Sequence, residues 1–218
     1  ISSIEVLGNT ITSSIIDQKQ NVWDVKLKTA GKHYMKNAAA LLTLVSSLNL
    51  DLSKAILALQ SWSPLAGRGQ VLEVKLKASN FNKAIHLIDE SYNANPSSVK
   101  SSLETLACIF TNKKGKGEYY RRIAVLGDML ELGFSEIQEH VNISKFARLD
   151  KIDKIYCVGS RMKKLFDVLP YSKRGFWTET AEEMQHVLVN KLKSGDIIMI
   201  KGSLSMGMKT IVNKLKNI

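Results

Sequence analysis

The pattern that most restricts the fold of this chain is an alternation, from residue 71 onward, of short apolar segments with amphipathic helical ones. The apolar segments are uniformly hydrophobic, which is typical of strands buried on both faces of a parallel sheet. Such sheets carry helices on both sides and right-handed connections. The prediction is an α/β fold with an open, mostly parallel, doubly wound sheet. Its strands are predicted at residues 71–76, 85–89, 122–127, 154–159, 175–178 and 196–202, and its helices at 96–110, 135–149, 161–168, 180–192 and 207–215.

The first part of the chain has a different pattern. Residues 1–30 contain short β-rich segments separated by polar breaks, and two predicted helices follow at 38–48 and 51–62. The segment SPLAGRGQ (63–70) then interrupts the helical pattern with one proline and two glycines. We therefore expect two domains, residues 1–68 and residues 69–218.

The 218 residues carry a formal net charge of +11. A charge of this size fits a nucleic-acid-binding protein, a protein that attracts small anionic substrates, or a lysine-rich solvated surface. The densest basic run, residues 112–122, lies between a predicted helix and a predicted strand, so we interpret it as an exposed loop and favour the solvated surface. No apolar run reaches about 20 residues, the length that spans a membrane, so we expect no membrane partner.

The cysteines and histidines show no spacing that indicates a site. Cys108 and Cys157 lie in apolar segments without CxxC spacing, which is typical of buried thiols in a reducing compartment, and we expect a cytoplasmic protein. The four histidines are scattered and form no metal-ligand cluster.

Polar motifs follow four of the predicted strands directly. They are DESYNANP (89–96), GDMLELG (127–133), VGSR (158–161) and KGSLS (201–205). In open α/β sheets, ligands bind beyond the carboxyl ends of the strands. These motifs are therefore expected to lie along one edge of the sheet and to form the candidate site.

The motif DESYNANP has two explanations that the residues alone leave open. Asn95 is a plausible N-cap and Pro96 fits the first helical position, so the motif could be only a strand-to-helix turn. A cap needs one polar residue, however, and here the polar or semi-polar residues 90–93 are surplus. Adjacent carboxylates beside a helix N-terminus could bind a ribose, an amine or Mg²⁺.

Two further motifs carry weaker signals. GSLSMGMKT (202–210) nearly matches a phosphate loop, but Met208 occupies the lysine position and Lys209 comes one residue late, which argues against nucleotide binding by this loop. Asp128 is interpreted either as a solvated loop acid or as a partner for a substrate ammonium group. For His140, on the following helix, we favour a structural role.

Taken together, the motifs resemble a known family. IDESYNANPSSVKSSLETL (88–106), IAVLGDMLELG (123–133) with His140 after it, and IIMIKGSLSMGMKTIV (197–212) are similar in order and spacing to the C-terminal half of a Mur ligase. GKHYMKNAAALL (31–42) followed by PLAGRGQ (64–70) resembles the end of the central ATPase domain of that family. Within the family, SYNANP with GDMxELG is typical of the ligase that joins D-alanyl-D-alanine to UDP-N-acetylmuramoyl-tripeptide.

The resemblance implies an enzyme that acts in peptidoglycan precursor synthesis as a monomer and uses ATP with Mg²⁺. ATP converts the tripeptide carboxylate into an acyl phosphate, which the dipeptide amine attacks with release of phosphate. The C-terminal domain of this family is Rossmann-like, and the central domain binds ATP. The matching positions imply that ATP contacts His33, Asn37, Arg68, Glu90 and Tyr92.

The resemblance also implies a substrate-facing group on the sheet edge. Its members are Asn93, Asn95, Asp128, Lys201 and Ser203. Among these, Lys201 and Asp128 are implied to be catalytic, since a lysine near the acyl phosphate offsets developing negative charge.

Several positions depart from the family pattern. Tyr34 replaces the first Asn of HNxxN, Glu90 stands where Asp is usual, and Leu204 replaces a common Arg after KGS. The phosphate loop of the family, its Mg²⁺ ligands and its N-terminal domain have no match in these residues. We therefore expect a fragment, with Ile1 in mid-pattern, that does not turn over ATP alone.

Two alternatives remain. One is another amide ligase of the same superfamily, such as a different Mur ligase or folylpolyglutamate synthetase, although SYNANP argues against it. The other is a non-catalytic basic α/β module that binds nucleic acid. That second alternative predicts a basic stripe with interleaved aromatics, whereas the lysines here are spread thinly, so we expect no nucleic-acid partner.

Overall fold

The computed structural model describes residues 4–17, 20–75, 84–109 and 120–218. Most of the basic run 112–122 lies outside these residues. The chain forms two compact units, the first built mainly from residues up to Pro64 and the second mainly from Leu65 onward. The division lies within the predicted boundary segment 63–70 and assigns Arg68 to the second unit.

The first unit is a small antiparallel sheet covered by two helices. Its strands β1 (Ile4–Leu7), β2 (Thr10–Ile16) and β3 (Val22–Leu27) pair in sequence order, and they are followed by α1 (Lys32–Ser47) and α2 (Leu52–Ser61). The Asp51 side chain accepts a hydrogen bond from Lys54 N and thereby caps α2. A compact core closes the unit, formed by Ile11, Val25, Leu27, Met35, Ala38, Leu42 and Ile56.

The second unit contains a six-stranded sheet of order β4-β5-β9-β6-β7-β8. The strands are β4 (Gln70–Lys75), β5 (Ala84–Glu90), β6 (Arg122–Gly127), β7 (Lys154–Val158), β8 (Arg174–Thr178) and β9 (Ile197–Lys201). All neighbours run parallel except the edge strand β4, which pairs antiparallel with β5. The predicted α/β fold with a mostly parallel sheet is confirmed.

The helices of the second unit cover this sheet. They are α3 (Pro96–Cys108), α4 (Glu136–Asn142), α5 (Ser160–Val168), α6 (Ala181–Val189) and α7 (Lys209–Lys216). A capping box between Thr180 and Glu183 is present at the start of α6. All five residues of β9 are buried, because this strand lies between β5 and β6 with helices on both faces.

Several predicted helices are shorter than expected, and the one predicted at 180–192 spans only Ala181–Val189. The helix predicted at 135–149 ends at Asn142 and continues as separate 3₁₀ turns, Ile143–Lys145 and Leu149–Lys151. The helix predicted from residue 207 begins at Lys209, because Gly207 adopts a left-handed conformation after the 3₁₀ turn Leu204–Met206. Among the described residues, no helix is long and apolar enough to cross a membrane.

Candidate functional site

Three chain segments meet at the carboxyl edge of the sheet. They follow the adjacent strands β5, β9 and β6, and the sheet register sets Lys201 beside both Glu90 of β5 and Leu126 of β6. The motifs DESYNANP, KGSLS and GDMLELG therefore converge, as their positions after parallel strands predict. The motif VGSR follows β7, the next strand along.

The centre of this edge is a buried ion pair. Lys201 Nζ lies 3.6 Å from Glu90 Oε2, and the two side chains are only 3% and 12% exposed. The same ammonium group donates a hydrogen bond to the carbonyl of Asn93 at 2.8 Å. The pair thus links the end of β9 to the segment that follows β5.

Burial dominates the electrostatics of this pair. Desolvation raises the pKa of Glu90 above its ordinary value, although the Lys201 charge and a hydrogen bond with Ser102 act in the opposite direction. Desolvation also lowers the pKa of Lys201, and the nearby Glu90 only partly compensates. Both groups are therefore charged at a cost that the fold alone does not fully offset.

Ser203 ties the three segments together. Its hydroxyl accepts a hydrogen bond from Leu130 N at 2.9 Å and donates a long one, 3.5 Å, to the carbonyl of Ala94. Its backbone N–H donates to the carbonyl of Asp128 at 3.0 Å. Ser203 is buried, so its position fixes the distance between the segments after β5 and β6.

The segment that carries Arg68 is anchored to the end of β5. Asp89 is buried, and its carboxylate accepts hydrogen bonds from Gly67 N at 3.0 Å and from the Ser91 hydroxyl at 2.6 Å. Tyr92 N donates to the carbonyl of Gly67, and the Arg68 guanidinium lies 4.1 Å from the centre of the Tyr92 ring. Sequence reasoning missed this use of Asp89; the Asp-x-Ser spacing, typical of a local side-chain turn, was the signal that could have found it.

The two asparagines of SYNANP have local hydrogen bonds. Asn95 Oδ1 accepts from Ser98 N at 2.8 Å and Asn95 N donates to Ser98 Oγ at 3.0 Å, so the predicted N-cap of α3 is confirmed, with Pro96 in the first helical position. Asn93 Oδ1 accepts from Ala94 N, and the residue is exposed. Asn93 therefore leaves its amide nitrogen at the surface of the edge.

Asp128 and His140 are buried beside this edge and have hydrogen-bond partners within the fold. The Asp128 carboxylate accepts from the backbone N–H groups of Arg161 and Met162, at the N-terminus of α5. His140 is fully buried, and its Nε2 accepts from Met129 N at 2.9 Å while Nδ1 lies 2.6 Å from the carbonyl of Glu136. The expected structural role of His140 is confirmed.

His33 and Asn37 belong to the first unit. Both lie in the first turns of α1, where His33 packs on Tyr34 with ring centroids 4.1 Å apart, and Tyr34 packs on Trp62 at 5.2 Å. Asn37 is exposed. The tyrosine that replaces the family asparagine is therefore part of an aromatic cluster on this unit.

Residues 72–204 match the family described as Mur ligase, glutamate ligase domain. The chain belongs to the Mur ligase family. This match covers the sheet and the three segments at its carboxyl edge.

Curated relatives and solved structures agree with this assignment. The chain is 24% identical over 190 residues to the UDP-N-acetylmuramoyl-tripeptide--D-alanyl-D-alanine ligase of Rickettsia prowazekii, covering 87% of this chain and 39% of that protein. It is 27% identical to the ligase of the same name from Mycobacterium leprae, covering 99% and 43%. The chain thus spans about two fifths of the length of these relatives.

The fold is also that of solved Mur ligases. A MurF structure from Acinetobacter baumannii superimposes with a TM-score of 0.80 at 23% identity, covering 100% of this chain and 44% of that one. MurF from Thermotoga maritima in complex with ADP gives a TM-score of 0.78 at 20% identity, covering 99% and 45%. At identities of 23% and 20%, these superpositions show that the fold is shared.

Proposed function

We propose that this chain is the C-terminal part of an ATP-dependent ligase that joins D-alanyl-D-alanine to UDP-N-acetylmuramoyl-tripeptide. The carrying observation is the buried Lys201–Glu90 pair, whose lysine donates to the carbonyl of Asn93, at the carboxyl edge of a domain that matches the Mur ligase family. The curated relatives named for this reaction support the choice of substrates.

The proposed reaction has two steps, and they define what the residues at the carboxyl edge of the sheet must do. In the first step a carboxylate oxygen of the tripeptide attacks the γ-phosphorus of ATP and ADP leaves. In the second, the dipeptide amine attacks the acyl carbon and phosphate leaves. Lys201 offsets the negative charge of the leaving phosphate, and its desolvated ammonium strengthens that interaction. Asn93, Asn95 and Ser203 orient the dipeptide through their amide and hydroxyl groups.

The residues proposed to bind ATP differ in how much structural support that role has. The stack of Arg68 on the half-exposed Tyr92 ring presents a planar cation that suits a phosphate or a base. Glu90 is proposed for the ribose, and His33 and Asn37 for adenine, by position in the family pattern. The described residues contain no group of histidine, cysteine and acidic side chains that could hold a metal ion, so no step is assigned here to Mg²⁺.

Turnover by these 218 residues alone provides the first test. None of them matches the family's phosphate loop, so we expect no release of phosphate from ATP when the tripeptide and dipeptide substrates are both present. Measurable ATP-dependent ligation by the chain alone would contradict this expectation.

Dipeptide binding provides the second test. In a ¹⁵N-labelled sample, D-alanyl-D-alanine should shift the amide signals of Asn93, Leu130 and Ser203 in a saturable manner, whereas L-alanyl-L-alanine should shift them less. Absence of any saturable shift at this edge would argue against the proposal. Nucleic-acid binding that weakens steeply with salt in a filter assay would favour the alternative of a basic binding module.

A further inference from the structure

Both oxygens of the Asp128 carboxylate accept hydrogen bonds within the fold. Oδ1 accepts from Met162 N at 2.7 Å and Oδ2 accepts from Arg161 N at 3.2 Å, so the side chain satisfies two of the free N–H groups that begin α5. The Arg161 guanidinium lies 3.6 Å from Oδ2 and is itself held by Glu136, whose Oε2 is 2.6 Å from Arg161 Nε. The negative charge of Asp128 is therefore balanced by a helix N-terminus and a cation.

The chain around Asp128 is shaped to receive this carboxylate. Gly159 has φ of +102°, and a Cβ atom placed on it would lie 2.5 Å from Asp128 Cγ. A side chain at this position would displace the carboxylate, and the positive φ would strain it further. The VGSR motif after β7 therefore provides the space at Gly159 that the Asp128 carboxylate occupies.

The main chain after β6, residues 128–130, is held at every N–H group. Asp128 N donates to the carbonyl of Val158, Met129 N donates to His140 Nε2, and Leu130 N donates to Ser203 Oγ. The next residue, Glu131, has φ of +64°, a conformation that persists where surrounding contacts impose it. We refer to residues 128–130 as the β6 loop.

We propose that Asp128 is a positioning residue that locks the β6 loop to α5, and so holds Ser203 at the carboxyl edge, without contacting the incoming dipeptide. This inference rests on the proposed function only for the identity of the dipeptide. It reassigns Asp128 from a substrate ligand to a support for Ser203, whose backbone N–H donates to the Asp128 carbonyl.

The two roles make opposite demands on charge. A partner for a substrate ammonium group needs the negative charge of an aspartate, whereas the N–H groups of Arg161 and Met162 need only acceptor oxygens. Asp128→Asn keeps one of the two acceptor oxygens, so it keeps part of the positioning role and abolishes an ionic contact with the dipeptide. Asp128→Ala removes both.

Amide hydrogen exchange without any ligand tests the positioning role. Asp128→Ala should speed exchange at Arg161, Met162 and Leu130 by about five- to tenfold, the effect of losing one helix cap. Asp128→Asn should give exchange between that of the wild type and that of Asp128→Ala at these amides, because it keeps one of the two acceptor oxygens. Equal exchange at Leu130 in all three proteins would overturn the inference.

Gly159→Ala reaches the same carboxylate without altering Asp128. It should reproduce the faster exchange at Leu130, because the added Cβ displaces the Asp128 side chain. Gly195→Ala is the matched control, since Gly195 also has a positive φ, +84°, but its added Cβ would meet Tyr120. Faster exchange at Leu130 in the control to the same extent would contradict the proposed route.

Dipeptide titration then separates the two roles directly. Asp128→Asn should bind D-alanyl-D-alanine at least about twofold more tightly than Asp128→Ala, since it keeps one acceptor oxygen for the N–H groups at the start of α5. If Asp128→Asn instead loses as much affinity as Lys201→Met, Asp128 contacts the substrate and the inference is wrong. If the wild type binds no dipeptide, the proposed function fails, while the exchange measurements still decide the positioning role.

Discussion

The two ends of strand β9 each carry a buried ion pair, and the pairs differ in how well the fold satisfies them. Asp196, just before β9, pairs with Arg121, and Lys201, the last residue of β9, pairs with Glu90. The strand, its burial and its neighbours are shared. The comparison therefore separates a pair that supports the fold from the pair that we propose takes part in the functional site.

The pair at the amino end is saturated. Arg121 donates from Nε and NH2 to the two Asp196 oxygens at 2.8 and 2.6 Å, and Lys193 N donates to the same carboxylate at 2.7 Å. The hydrogen bond with Asp196 raises the pKa of Arg121 despite partial burial. For Arg121, the interactions with Asp196 therefore outweigh the cost of desolvating the guanidinium.

The pair at the carboxyl end shows the reverse. Its two charges are 3.6 Å apart, and burial raises the pKa of Glu90 while lowering that of Lys201. Charges that a fold leaves incompletely compensated are typical of functional sites, because a ligand can supply the missing interactions. This difference is consistent with the proposal that the carboxyl end of β9 belongs to the functional site.

The largest expected effect is at the saturated pair. Asp196→Ala should lower the free energy of unfolding by about 3–5 kcal/mol, because it leaves the Arg121 charge and the Lys193 N–H group without their acceptor. Chemical denaturation measures this loss. Asp150→Ala, which breaks an ion pair between two largely exposed side chains, is the control and should leave the midpoint unchanged. A comparable loss in both variants would contradict the assignment.

The carboxyl-end pair should be less costly to remove when both charges go together. Lys201→Met alone should destabilise the protein by about 2–3 kcal/mol, since Glu90 stays buried without its partner. Adding Glu90→Gln should recover most of that loss, because the double variant buries no charge. Denaturation of the two singles and the double gives their coupling energy.

Removing both charges of the pair at the amino end of β9 is the matching test of how the two ion pairs differ. Arg121→Met combined with Asp196→Leu should remain less stable than the wild type, because Lys193 N–H loses its acceptor. If this double recovers stability as fully as the one at the carboxyl end, the two pairs do not differ as proposed.

The raised pKa of Glu90 predicts a pH dependence of smaller size. The folded chain takes up a proton at a pH where the unfolded chain, with the ordinary value of 4.5, does not. The stabilising contribution of Glu90 to the free energy of unfolding is therefore fully present below pH 4.5 and is lost as the pH rises through the raised pKa. Relative to Glu90→Gln, the wild type should gain stability as the pH falls toward 4.5.

Denaturation midpoints of both proteins across that range measure the difference. Lys201 shows the opposite sign, since its lowered pKa contributes stability at high pH that is lost as the pH falls. A constant difference between wild type and Glu90→Gln at all pH values would mean that Glu90 is not desolvated as described.

The sequence predicted what depends on local pattern. Strands β5, β6, β7 and β9 were predicted because each is a continuous apolar segment, and the cap at Asn95 because an asparagine precedes a proline that fits the first helical position. The convergence of three motifs on one edge followed from parallel topology. The residue pairs across the edge did not follow, because Lys201 and Asn93 are 108 positions apart.

Other features depended on contacts that no local pattern contains. Asp128 follows a strand and looks like an edge acid, but its partner Met162 lies 34 residues further along the chain. The leucines Leu41, Leu44 and Leu48 share a side of α1, yet they are 46–60% exposed, and the buried side carries Met35, Ala38 and Leu42 instead. Helical spacing shows that a face exists but does not show which face is covered.

The smallest predicted effect distinguishes two roles of Asn95 in SYNANP, as the N-cap of α3 and as a ligand of the dipeptide. Asn95→Ala and Thr180→Ala each remove a side-chain acceptor at a helix start, so each should cost about 1 kcal/mol of stability. Only Asn95→Ala should also weaken binding of D-alanyl-D-alanine, because Asn95 lies at the carboxyl edge while Thr180 caps α6 after β8. Denaturation and dipeptide titration of the two variants measure both quantities. Equal binding by both would leave Asn95 as the cap of α3 alone, and the dipeptide site would then consist of Asn93, Lys201 and Ser203.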